Sequence, residues 1–239
     1  MNRKTLITLT AIAFMGALFL SAHSFSGVDR IMLRMKSQSL QGGKAATLEA
    51  ELYYQSLDGK MITVFQEPEH QVMITNRDGE LSIYRPSDNS LYRRQSIEYS
   101  SENNLVYFFL HGKTHDLGLR DMGFTQSGTD FRDGLLITEW MPPASLGHLF
   151  SRIELVHEDY MPVYAGYYDA GQKLVKKVYY DNYEVFPQII LPMTITEFNY
   201  LPGGDSIISR VRLSEVHMNR QAVSPWFEFE IPEDAKIID

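Results

Sequence analysis

Short runs of strand-forming residues, separated by turn residues, fill most of the chain after residue 45. In "ATLEAELYYQSLDGKMITVFQE", two such runs flank the segment "SLDG". Side chains at a period of two lie on opposite faces of a strand, and Asp58-Gly59 tolerates the positive φ angles of a tight turn. The stretch therefore predicts a β-hairpin.

The same pattern continues on both sides of this hairpin. "DRIMLRMKSQ" precedes it, and "HQVMITNRDGELSIYRPSDNSLYRR" follows it with turns at Asp78-Gly79 and "PSDN". The later candidate strands are "FTQSGTDF", "GLLITEWMPP", "FSRIELVHED", "PVYAGYYDAG", "KLVKKVYYDNYEV", "IILPMTITEFNY" and "SIISRVRLSEVHM". Many strands about ten residues apart predict a large antiparallel sheet or open barrel in a single domain.

One segment shows a helical pattern. Polar residues of the capping type, Ser100 to Asn104, precede an apolar cluster in which Leu105, Phe108 and Phe109 fall at positions i, i+3 and i+4. A second short helical turn is expected from His115 to Asp121. The fold class predicted is therefore α+β and mostly β.

The closing stretch "WFEFEIPEDAKIID" alternates aromatic and acidic residues. Phe227, Phe229 and Ile231 would share one face of a strand, with the glutamates between them on the other face. Pro232 cannot donate a ladder hydrogen bond. The pattern predicts a final strand that ends at this proline.

The first residues have the composition of an export signal. "MNRK" is positively charged, "TLITLTAIAFMGALFL" is apolar and uncharged, and "SAHS" supplies small residues. We expect a signal peptide at residues 1–24, cleaved near Ser24, and a periplasmic mature domain at residues 25–239. The absence of cysteine is compatible with that compartment and excludes a thiol nucleophile, a disulfide or a lipid-modified cysteine.

Charge and motifs argue against several classes of function. A net charge of −8 disfavours nucleic-acid binding. "HGKTHD" has Tyr107 where a phosphate loop needs its first glycine, and "PASLG" has Pro143 where a nucleophile elbow needs one. His111 and His115 have the spacing of metal ligands on a helix, but the glycine between them favours ordinary surface histidines. We expect no enzyme, no catalytic residue, no metal and no cofactor.

Three stretches, in their order along the chain, resemble the periplasmic lipoprotein carriers of the LolA type. "VMITNRDGELSIYRPSDNSLYR" is similar to the family's strand, Asp-Gly turn and following strand with a Tyr-x-Pro motif. "HEDYMPVYAGYYDAGQKLVKKVYYDNYEV" is similar to its later strand, D-x-x-G turn and long strand. "WFEFEIPEDAKIID" is similar to its closing F-x-F-x-x-P segment.

The resemblance implies a curved antiparallel sheet, forming an incomplete barrel with a helical lid, that encloses acyl chains of a lipoprotein or another lipid. It also implies transport partners in the inner and outer membranes. We expect the helical segment to supply the lid, through Leu105, Phe108 and Phe109. The expected cavity-lining residues are Leu52, Tyr54, Met73, Ile83 and Trp140.

A second interpretation keeps the same fold without lipid carriage. The long helix that the family carries after its signal is not evident, and Val72 stands near the position of a family arginine that helps set lid closure. Tyrosines are concentrated in two successive strands between residues 160 and 183, where they pack across strands or form a partner surface. The alternative is an envelope sensory or partner-binding module.

Overall fold

The structure of the chain is a computed structural model that describes residues 27–238. The predicted signal peptide lies outside the described residues. The strands are β1 Arg30–Gln41, β2 Lys44–Gln55, β3 Lys60–Glu67, β4 Gln71–Thr75, β5 Glu80–Arg85, β6 Ser90–Gln95, β7 Thr125–Arg132, β8 Leu135–Met141, β9 Phe150–Glu158, β10 Met161–Asp169, β11 Leu174–Val185, β12 Ile190–Tyr200, β13 Ser206–Met218 and β14 Lys236–Ile238.

All these strands form one sheet with the order β14-β6-β5-β4-β3-β2-β1-β13-β12-β11-β10-β9-β8-β7. From β1 to β6 and from β7 to β13, each strand pairs antiparallel with the next one in sequence, and β1 brings the two halves together by pairing with β13. The short β14 is parallel to β6. The sheet is curved and does not close, since β14 and β7 are its edges. The mostly β, open half-barrel expected from the sequence is confirmed.

Glycines set the sharp turns between the early strands. Gly59 and Gly79 have φ angles of +67° and +77°, in the left-handed region that residues with a Cβ rarely adopt. At Gly79 a Cβ would also lie 2.1 Å from the carbonyl oxygen of Ser96. The predicted turns at Asp58-Gly59 and Asp78-Gly79 therefore lie where the sequence placed them.

The helical segment connects β6 to β7. Helix α1 spans Leu105–Leu110 and begins at Asn104, whose side-chain oxygen accepts a hydrogen bond of 3.0 Å from the backbone N–H of Tyr107. Short 3-10 turns lie at Ile97–Tyr99, Ser101–Asn103, Lys113–His115, Ala144–Leu146, Asn219–Gln221 and Pro225–Glu228. The helix predicted after Ser100 to Asn104 is present, and the second turn lies at Lys113–His115 rather than from His115 to Asp121.

Hydrophobic clusters lie on both faces of the sheet. We call the face that packs against α1 the inner face; its cluster includes Tyr54, Met61 and Trp140. On the outer face, Tyr53 and Ile62 belong to a second cluster with residues of the C-terminal segment. Because adjacent strand residues point to opposite sides, β2 and β3 contribute to both clusters.

The prediction of a strand at residues 226–231 is wrong. Pro225–Glu228 forms a 3-10 turn, and the chain then crosses the outer face before it reaches β14. Buried and exposed side chains nevertheless alternate along this segment, since Phe227 is buried and Glu228 and Glu230 are exposed. The aromatic side chains pack onto the face of the sheet, so the segment has the period of a strand without strand partners.

Within residues 27–238, no helix is both long and apolar enough to cross a membrane.

Candidate functional site

A cavity of about 450 Å³ lies between the inner face of the sheet and the segment that contains α1. Its lining comes from α1 and the loop after it, from the β8–β9 connection, and from strands β9 to β12. The lining residues are Asn103, Leu105, Phe108, Leu117, Leu119, Met122, Phe124, Leu146, Phe150, Ile153, Leu155, Tyr167, Lys176, Val178, Tyr180, Ile195 and Glu197. The site is thus an apolar space with few polar groups.

Two of the three residues expected in the lid line this cavity. Leu105 and Phe108 are half-buried and face it from α1. Phe109 is buried in the inner cluster, where its ring centroid lies 6.2 Å from that of Tyr183. The helix therefore covers the cavity with one side and anchors itself to the sheet with the other.

The ring of Phe108 rests against backbone. A Cβ on Gly118 would lie 2.5 Å from Cε1 of Phe108, and Gly118 has a φ angle of +76°. Real Cβ atoms do not come this close, so the glycine both makes the turn and leaves room for the ring. The position of Phe108 over the cavity depends on this contact.

The expected lining residues lie on the inner face but away from this cavity. Leu52, Tyr54 and Trp140 are buried in the inner cluster. Met73 and Ile83 are register partners of β4 and β5, half-buried, on the same face as Leu52. Among the described residues, none of the five lines the cavity.

The lining that sequence reasoning missed comes mainly from the second half of the sheet. Ile153 and Leu155 on β9, Val178 on β11 and Ile195 on β12 point inward. Alternation along these strands groups each set on one face, but a strand does not reveal which of its faces points inward. The order of strands in the folded sheet supplies that information.

Charged groups reach the cavity at one place. Lys176 of β11 and Glu197 of β12 form an ion pair, and the ammonium of Lys176 lies 5.5 Å from the ring centroid of Tyr167. Burial raises the pKa of Tyr167 to about 12. The tyrosine is thus a neutral hydroxyl at physiological pH, and the pair is the only charged contribution among the described lining residues.

Two histidines contact the helical segment. His111 caps the helix, and its ring lies 4.2 Å from that of Tyr107. His157 is buried, and its Nε2 lies 3.0 Å from the backbone oxygen of Thr114. Burial lowers the pKa of both imidazoles. Within residues 27–238 no three His, Asp or Glu side chains are grouped so as to hold a metal ion.

Comparison with known proteins identifies the fold. No family model matches the chain, and no curated protein matches it. Among solved structures, a DUF1329 family protein from Desulfovibrio piger matches with a TM-score of 0.60 at 17% identity, covering 85% of this chain and 90% of that one.

Two further structures carry descriptive names. A LolA superfamily protein from Nitrosomonas europaea has a TM-score of 0.57 at 14% identity, with 84% of this chain and 90% of that chain covered. The chain has a LolA-like fold. An outer membrane lipoprotein-sorting protein domain from Vibrio parahaemolyticus also has a TM-score of 0.57, at 13% identity, with 83% and 88% covered. In this chain the cavity under α1 lies on the inner face of the half-barrel.

Proposed function

We propose that this protein is a periplasmic carrier of the lipoprotein-sorting type, which binds the acyl chains of lipoproteins or other lipids in the cavity beneath α1. The observation that carries the proposal is this apolar cavity of about 450 Å³ on a LolA-like fold. Its volume lies within the roughly 300–1,000 Å³ typical of small-molecule sites. The export signal expected at residues 1–24 agrees with a periplasmic location.

The lining suits a flexible apolar ligand. Each methylene that leaves water gains about 0.8 kcal/mol, so a single acyl chain can supply most of the binding free energy. Met122 lies at the cavity, and a methionine side chain adapts to ligands of irregular shape. The ion pair of Lys176 and Glu197 leaves one polar position for a headgroup.

The position of α1 over the cavity also suggests how a bound lipid is loaded and released. The lid helix has only six residues, and two of its side chains, Leu105 and Phe108, line the cavity. A short helix held mainly by side-chain packing can move aside at modest free-energy cost. We propose that transport partners in the inner and outer membranes load and unload the cavity by this route, with binding and release in place of catalysis.

The direct test is native mass spectrometry of the protein purified from the periplasm, followed by incubation with a palmitoylated peptide. We expect co-purified lipid or lipoprotein, or uptake of the added peptide. A clean mass of the protein alone, together with no uptake, contradicts lipid binding and favours the sensory or partner-binding alternative.

Variants on the two faces of β12 locate the bound chain. Ile195→Phe places bulk in the cavity, whereas Thr194→Phe adds the same side chain on the opposite face of the same strand. We expect the first change to weaken binding of a fluorescent fatty acid by about tenfold or more, and the second to leave it unchanged. Equal affinities would place the ligand elsewhere.

A further inference from the structure

The outer face of the sheet is covered in its first half and bare in its second. The C-terminal segment packs over β2 to β6, where Phe227 and its neighbours complete the outer cluster. Successive cross-strand partners from β2 to β10 form one row on the outer face of the sheet. The row consists of Thr47, Gln38, Arg210, Thr196, Tyr179 and Tyr164. Among the described residues, no segment packs over this row at β10 to β13.

The bare half carries a floor of aromatic rings. The rings of Tyr164 and Tyr179 lie 5.3 Å apart, and Phe198 meets Tyr179 edge to face at 6.0 Å. Tyr164 lies flat over Gly166, where a Cβ would come within 2.6 Å of its hydroxyl. These half-buried rings form a low surface rather than projecting anchors.

Positive charges lie on and beside this floor. The ammonium of Lys177 is 4.6 Å from the ring centroid of Phe198 and 5.4 Å from that of Tyr179. Arg210 and Arg212 are exposed on β13. Their contacts are to neutral groups: Arg210 donates to the hydroxyl of Thr196 at 3.4 Å, and Arg212 donates to the side chain of Gln38 at 3.0 Å.

These three cations differ from those nearby on the same face. Lys36 pairs with Glu49, and Arg34 pairs with both Glu51 and Glu215. Within the part of the chain that the structure describes, no carboxylate lies within salt-bridge distance of Lys177, Arg210 or Arg212. In a chain with a net charge of −8, this arrangement is suited to an anionic partner.

The covered half shows what kind of partner such a surface holds. There, "WFEFEIPED" lies on the sheet with Phe227 edge to face against Tyr53 at 5.5 Å. Arg30 contacts this segment twice, with Glu228 at 3.0 Å and over the ring of Phe227 at 5.0 Å. Aromatic rings and a cation on the sheet thus recognise alternating aromatic and acidic side chains.

We propose that the bare surface, formed by Tyr164, Tyr179, Phe198, Lys177, Arg210 and Arg212, docks an extended segment of a partner protein in which aromatic and acidic side chains alternate. Rings of the partner would lie on the aromatic floor, and its carboxylates would reach the cations on β11 and β13. The proposal does not depend on lipid in the inner cavity, because the two surfaces are on opposite faces of the sheet.

The test measures fluorescence anisotropy of a labelled peptide with the sequence "SPWFEFEIPEDA", titrated with the full mature chain at low salt. We expect saturable binding that added salt weakens. A peptide with lysine at each acidic position should not bind. Absence of saturable binding by the first peptide, or equal binding of both, overturns the proposal.

Variants assign the binding to this surface. Lys177→Glu combined with Arg210→Glu should weaken binding about tenfold or more, and Phe198→Ala should weaken it independently of charge. Lys44→Glu combined with Arg93→Glu makes the same change in net charge outside the surface and should leave affinity unaltered. Circular dichroism verifies that each variant is folded.

Two further results would overturn the proposal: the first would move the binding site, and the second would change the kind of partner. If the charge reversals leave peptide affinity unchanged, the peptide binds elsewhere, and the assignment of this surface is wrong. If the peptide does not bind but phosphatidylglycerol vesicles sediment the protein and the same reversals abolish this, the face contacts an anionic lipid surface instead of a protein segment.

Discussion

Gly118 is the residue on which the position of Phe108 depends. Replacement by alanine forces a left-handed φ angle on a residue with a Cβ and drives that atom into the phenyl ring. Overpacking of this kind typically costs about 1–3 kcal/mol beyond the backbone strain. We expect Gly118→Ala to lower the free energy of unfolding in urea.

Gly112→Ala is the matched control. Gly112 has a φ angle of +65°, similar to the +76° of Gly118, but its Cβ would have nothing within 4 Å. It therefore carries the backbone strain without the clash. If both variants lose the same stability, Phe108 does not pack against Gly118 as described.

At the scale of single residues, the sequence showed which segments carry large apolar side chains. It did not show which of those side chains face the cavity. The helical spacing of Leu105, Phe108 and Phe109 predicted the helix that spans Leu105–Leu110. It could not separate Phe108, which faces the cavity, from Phe109, which faces the core. Leu52 and Trp140 were expected to line a cavity, although the sequence does not show which face of a strand points inward. Both are packed in the inner cluster and do not line the cavity.

The C-terminal segment acts as a structural element although it pairs in the sheet only at β14. Phe227 is 4% exposed and fills the space beside Tyr53 on the outer face. Removing a buried phenylalanine side chain commonly costs about 3–5 kcal/mol. We expect Phe227→Ala to lower the free energy of unfolding by an amount in this range, measured in urea.

Phe131→Ala provides the comparison, because Phe131 lies on the edge strand β7 and is 69% exposed. Its removal should change stability little. A similarly small effect of Phe227→Ala would mean that the segment does not hold the outer face.

At the scale of elements, the strands were predictable and the last one was not, for the same physical reason. Alternation reports that one side of an extended chain is buried, whatever buries it. For β2 to β5 the neighbouring strands and glycine turns such as Gly79 settle the pairing. For "WFEFEIP" the burying surface is the face of the sheet, which exists only after the strands have assembled.

The whole molecule combines two hydrophobic clusters that share strands. Tyr53 and Ile62 face outward, while their immediate neighbours Tyr54 and Met61 face inward. Neither cluster can lose β2 or β3 without exposing the other. We therefore expect the two clusters to unfold as one cooperative unit, which is the behaviour that the prediction of a single domain implies.

The two tryptophans make this cooperativity measurable, since each reports on one cluster. Trp140 is buried in the inner cluster, and Trp226 packs at the outer cluster with its ring 5.0 Å from that of Phe229. In Trp140→Phe and in Trp226→Phe, the remaining tryptophan should follow the same urea transition as far-UV circular dichroism of that variant. Because fluorescence and dichroism are compared within one variant, any loss of stability from the substitution cancels. An earlier fluorescence transition for Trp226 would show that the C-terminal segment leaves the sheet before the sheet unfolds, and the two clusters would then be separate units.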